Sequence, residues 1–73
     1  MGEGDIDSAI NEFKKAIELK PDYVDAHFGL GAMYFKKGLY DLAVRHVEQA
    51  ILIKPDFKEA HELLDALYKE RGR

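Results

Sequence analysis

The chain has 73 residues, a charged fraction of 34%, a formal net charge of −3 and no cysteine. That length allows one small domain with a net stability of about 4–11 kcal/mol, and the missing cysteines exclude a disulfide framework or a thiolate metal site. No apolar run approaches the ~18 residues of a membrane span, the Met1-Gly2-Glu3-Gly4 start lacks the regions of a signal peptide, and the acidic balance offers no basic track for phosphate backbones. The expectation is a cytoplasmic protein, soluble, with no membrane insertion and no nucleic-acid partner.

Four stretches carry apolar residues at helical spacing, and none alternates with period two. The first, residues 5–19, sets Ile6, Ala9, Ile10, Phe13, Ala16 and Ile17 along one face. Ser8, the only serine, follows Asp5 there and fits helix initiation. The second, 22–36, aligns His27, Leu30, Gly31 and Tyr34. The third, 39–53, aligns Tyr40, Ala43, Val44, Val47, Ala50 and Ile51, with His46 opposite Val44 and Val47 and so expected to face solvent. The fourth, 56–70, aligns Ala60, Leu64, Leu67 and Tyr68. The fold class is therefore all-α, with four amphipathic helices.

Punctuation between them has separate physical causes. Pro21 and Pro55 lack an N–H and bias the preceding lysines away from helix, so two helices should stop there. Asp22 and Asp56 are then placed to cap the next helices, with Asp25 and Glu59 three residues on completing a capping-box-like pattern. Gly38 and Gly72 follow last turns that carry lysine or arginine, where a left-handed residue closes a helix. Connections of two or three residues make neighbouring helices antiparallel.

The chain also matches itself at an offset of 34 residues. Gly4, Asp7, Ala9, Ala16, Ile17, Lys20, Pro21, Asp22, Ala26, His27, Leu30, Ala32, Tyr34 and Gly38 all recur 34 positions later, which is 14 of the 39 possible pairs. A fixed period of this length marks stacked units, none of which can bury its apolar face alone. The small residues Gly31, Ala43, Ala50, Ala9 and Ala16 leave room for close helix crossing, and Tyr34, Phe13 and the branched residues fill the gaps. Tyr34 and Tyr68 share the period and apolar neighbours, which assigns both to packing.

These residues resemble the tetratricopeptide repeat, a family of antiparallel helix-turn-helix repeats that stack into a right-handed superhelical solenoid. Leu30, Gly31, Tyr34, Gly38, Ala43, Ala50 and Pro55 fit its pattern in one register over residues 24–57. Gly4, Ala9, Phe13, Ala16 and Pro21 fit the second half of a preceding unit, and Leu64, Tyr68 and Gly72 the first half of a following one. The resemblance implies a single module over 1–73, with 5–19 as helix B of a partial repeat, 24–57 as one complete repeat and 58–73 as a helix A or end-capping helix. His27 and His61 stand where the family has a larger aromatic, Val47 replaces an aromatic, and Asp65 replaces a small packing residue. The last change suggests a solvated end.

Catalysis has little to stand on. His27 and His61 lie one repeat apart with no convergent ligand spacing, Ser8 has no histidine nearby in sequence, and Gly29-x-Gly31 is not a strand-to-helix phosphate loop. No catalytic, metal or cofactor site is expected. The resemblance implies instead a concave groove that accepts a peptide or helix of a partner protein, lined by Asp25, Phe28, Ala32, Phe35 and Lys36, and on the last helix by Glu59, Glu62, Ala66, Lys69 and Glu70. Helical spacing agrees, since 25, 28, 32, 35 and 36 share a face distinct from 27, 30, 31 and 34. Phe28 and Phe35 are either exposed anchors on that face or packed on Phe13 or Ile17. Acids outnumber Lys36 and Lys69, which favours a basic or amphipathic partner. One subclass of the family clamps chaperone carboxylates with lysine, asparagine and arginine; Phe28, Gly29, Ala32, Glu62 and Ala66 stand at those positions here, which disfavours that role. The alternative is a structural module, a piece of a longer array or a homo-oligomer joined through uncovered terminal helices.

Overall fold

A computed structural model describes residues 3–72; Met1, Gly2 and Arg73 of the expected 1–73 module lie outside the described residues. Four helices form, α1 (Glu3–Leu19), α2 (Val24–Lys36), α3 (Tyr40–Ile53) and α4 (Lys58–Arg71), with no strand among the described residues. The all-α expectation holds.

Helix starts differ from the expected ones for a reason visible in the connections. The Tyr23 N–H donates to the Lys20 carbonyl at 3.0 Å, and the Phe57 N–H to the Lys54 carbonyl at 3.0 Å. Each Lys-Pro-Asp-aromatic segment is thus a complete turn with proline at its second position, where its fixed φ fits. Asp22 and Asp56 are consumed by these turns and do not cap the helices. Tyr23 and Phe57 take the cap positions, with no side-chain cap hydrogen bond, and the connections span residues 20–23 and 54–57, longer than the spacing suggested. At the other boundary α1 begins at Glu3, so Ser8 lies past its first turn and is exposed.

The α2–α3 connection matches its chemistry. Gly38 has φ 79°, a left-handed value, and closes α2 with two bonds, Leu39 N–H to the Tyr34 carbonyl at 2.9 Å and Gly38 N–H to the Phe35 carbonyl at 3.0 Å. This is a Schellman closure, and it turns the chain back toward α3. Gly72, expected to do the same, has φ −78° and donates to the Tyr68 carbonyl at 3.0 Å, so the helical bonding runs on into it.

Each helix packs on its sequence neighbours, and α2 also touches α4. The core comprises Ile10, Leu30, Tyr34, Ala43, Val44, Val47, Ala50, Ala60 and Leu67. Ala43 and Ala50 are fully buried, whereas Ala9 and Ala16 are half-buried. A Cβ on Gly31 would fall 2.4 Å from Val47 Cγ2, and one on Gly29 would fall 2.4 Å from the tip of the Phe13 ring. The two glycines therefore let α2 receive α3 on one side and α1 on the other. The result is a flat body of 33 × 31 × 17 Å, thin in one direction because it is two helix layers deep.

Candidate functional site

The 34-residue period is reproduced in side-chain contacts. His27 Nε2 donates to the Pro21 carbonyl at 2.9 Å, and His61 Nε2 to the Pro55 carbonyl at 2.8 Å. The Lys20 ammonium sits 5.8 Å from the Tyr23 ring centroid, and that of Lys54 5.2 Å from the Phe57 ring. Lys37 pairs with Asp7 at 2.6 Å, and Arg71 with Asp41 at 3.3 Å. The histidines that replace a larger aromatic thus tie each proline turn to the helix it introduces, with the proton on Nε2.

His46 differs from the sequence expectation. It is half-buried, with its ring stacked 5.8 Å from that of His27 and 5.7 Å from that of Tyr34. Its pKa is pushed down, chiefly by burial and further by His27, Arg45 and Lys14. The Nδ1 atoms of His27 and His46 are both buried without a hydrogen-bond partner. Stacked rings do not converge their lone pairs, and no group of three or more His, Cys, Asp or Glu side chains able to hold a metal occurs among the described residues.

The expected groove residues fall into two sets carried by α2 and α4, which touch. Phe28 is half-buried with its ring 5.0 Å from that of Phe57, at 43°, and Phe35 is half-buried 5.7 Å from Tyr40, at 54°. Neither ring partner is Phe13 or Ile17, the partners named as the alternative to exposure; the Phe13 ring lies against Gly29, and both phenylalanines pack against the core. Asp25, Lys36, Glu59, Glu62 and Lys69 are exposed, whereas Ala32, Ala66 and Glu70 are half-buried. The spacing did not pick out Phe57 or Tyr40 as partners; the repeated aromatic after Lys-Pro-Asp was the available signal for Phe57.

A second surface lies where α3 meets α4. An open pocket of about 370 Å³ is lined by Glu48, Gln49, Ile51, Leu52, His61 and Leu64. Tyr68, assigned to packing by its period, is 43% exposed, and its hydroxyl donates to Glu48 Oε2 at 3.1 Å. That bond, then burial and the Glu48 charge, raises the hydroxyl's pKa.

A sequence period repeated in three kinds of side-chain contact identifies a repeat protein, and comparison with known families identifies which. A family pattern described as "TPR repeat" matches residues 2–38, and one described as "Tetratricopeptide repeat" matches residues 24–57. The chain belongs to the tetratricopeptide repeat family. No curated protein matches the sequence. Tetratricopeptide repeats generally mediate protein–protein interaction and generally act without catalysis. No helix of this tetratricopeptide chain, among the described residues, is long and apolar enough to cross a membrane.

Proposed function

We propose that the chain is a noncatalytic interaction scaffold that takes up a peptide or helix of a partner protein along the face shared by α2 and α4. In this reading residues 24–57 are one complete repeat, α1 is the second helix of a preceding unit and α4 the first helix of a following one. The observation that supports it most is the Phe28–Phe57 contact, a half-buried aromatic pair joining α2 to the start of α4. Partly exposed aromatic surface beside a polar rim is the common form of a binding anchor. Ala32 and Ala66 keep the floor low, and Phe35 extends the apolar strip.

Asp25, Glu59 and Glu62 surround this strip on exposed positions, against Lys36 and Lys69. Their field steers a basic or amphipathic segment and makes its capture sensitive to salt. Affinity is modest, because the groove is short.

Fluorescence anisotropy with a labelled lysine-rich amphipathic peptide tests this reading. Binding is expected to weaken on raising salt and on Glu62→Lys, a substitution at an exposed position that leaves the fold intact, and to be lost in Phe28→Ala. Equal affinity for the native chain and Glu62→Lys sinks it.

A further inference from the structure

α2 and α4 run in the same direction, and the charges on their shared face are sorted by end. The Phe28–Phe57 ring contact joins the first half of α2 to the start of α4. At the other end Phe35 meets Tyr40 and Arg71 pairs with Asp41, so the last turns of both helices adjoin the start of α3. Asp25, Glu59 and Glu62 therefore gather at one end of the face, and Lys36 and Lys69 stand at the other, all five exposed.

The surrounding charges do not cancel this sorting. Lys20 and Lys54 share their turns with Asp22 and Asp56, and Lys58 offsets only one of the three carboxylates. At the far end Lys37 is paired with Asp7 and Arg71 with Asp41, while Glu70, half-buried, offsets one of the two lysines. Helix dipoles oppose the gradient by about half a charge per terminus. The end bearing Asp25, Glu59 and Glu62 still stays the more negative of the two.

Distance sets the length of what lies between. Asp25 and Lys36 are eleven residues apart on one helix (36 less 25), about 16 Å along its axis. An extended chain covers that in about five residues. Because α2 and α4 touch, the occupant follows a shallow seam, which one extended strand fits more closely than a helix about 10 Å across. Phe28, Ala32 and Phe35, all half-buried, give the middle of the seam its apolar character.

We propose that this face holds an extended segment of a partner protein in one orientation. A basic residue enters beside Phe28 at the acidic end, an acidic residue about five positions away meets Lys36 and Lys69, and apolar side chains lie between. Charge order, rather than chain direction, decides which way the segment lies. The inference rests on the interaction face proposed above and adds a polarity to it.

A blocked eight-residue peptide with two lysines at its amino end, two glutamates at its carboxyl end and leucines between tests the proposal. It is titrated into the 73-residue chain with a nitroxide at one end or the other, and amide broadening is read by NMR. The label beside the lysines is expected to broaden Asp25, Glu59 and Glu62, and the label beside the glutamates Lys36 and Lys69. Exchanging the peptide's lysines and glutamates turns it around on the native chain. A chain carrying Glu59→Lys, Glu62→Lys, Lys36→Glu and Lys69→Glu turns the original peptide around as well. A peptide of the same composition with alternating charges is expected to bind about fivefold more weakly. Either label broadening both ends equally, or an orientation indifferent to the peptide's charge exchange, overturns the polarity and leaves the interaction face standing. No broadening along α2 and α4 by any of the peptides overturns the face and its polarity together.

Discussion

The imidazole of His46 lies 5.8 Å from that of His27, with the ring planes 28° apart, and neither buried Nδ1 has a partner. Protonating His46 puts a cation in the stack, and the facing charges are Arg45 from α3 and Lys14 from α1, both positive. Because the folded pKa of His46 is lowered, its contribution to stability is fully present above its ordinary value of 6.5 and is lost as pH falls through the lowered one. Urea unfolding between pH 7.5 and 4.5 should show stability declining on the acid side of 6.5. His46→Gln should flatten that part of the profile, and an unchanged slope would remove His46 as its source.

Gly31→Ala forces a methyl to within 2.4 Å of Val47 Cγ2 in a fully buried crossing. The expected cost is about 1–3 kcal/mol, from overpacking with little room to relax. Val47→Ala opens a small cavity of its own, yet in combination it should restore part of the loss, giving a nonadditive cycle by thermal or urea denaturation. Strict additivity would mean that the helices separate elsewhere.

Much of this fold was legible before any coordinates. Four helices, the period, the Gly38 closure and the close approach at Gly31 all follow from local rules that the tertiary structure does not override. Asp22 and Asp56 misled because Pro-Asp suits a turn as well as a cap, and only the Tyr23 and Phe57 hydrogen bonds decide between them. His46 misled because its ring is covered by two rings of α2, His27 and Tyr34, so the side of α3 that α2 buries is wider than the stripe through Val44 and Val47. The face bearing Phe28 and Phe35 was readable from spacing. Their ring partners were not, since Phe57 and Tyr40 are brought up by chain reversals whose geometry no single helix encodes.

His27 and His61 make the same bond to a proline carbonyl, but only His27 is covered by another ring and buried. His27→Ala should cost about 1.5–3 kcal/mol, for a buried hydrogen bond plus lost packing. His61→Ala should cost less than about 1 kcal/mol, since water can replace an exposed donor. Equal losses would show that the bond, rather than its cover, sets the contribution.

The two repeated ion pairs should rank by exposure. The Lys37–Asp7 side chains are 24% and 54% exposed, those of Arg71–Asp41 44% and 89%. Asp41→Asn should fall within about 0.5 kcal/mol of the native chain, and Asp7→Asn should lose up to about 1 kcal/mol, less at high salt. Thermal unfolding at two salt concentrations checks both.

Packing that passes almost wholly between consecutive helices gives the molecule a middle and two ends in an energetic sense. The outer helices are expected to open before the inner pair separates, which would make opening graded along the chain. Amide protons of α2 and α3 would then exchange slowest, and those of α1 and α4 would report fraying. A partner held across α2 and α4, as proposed, would bridge an inner helix and an outer one and would make their opening more cooperative.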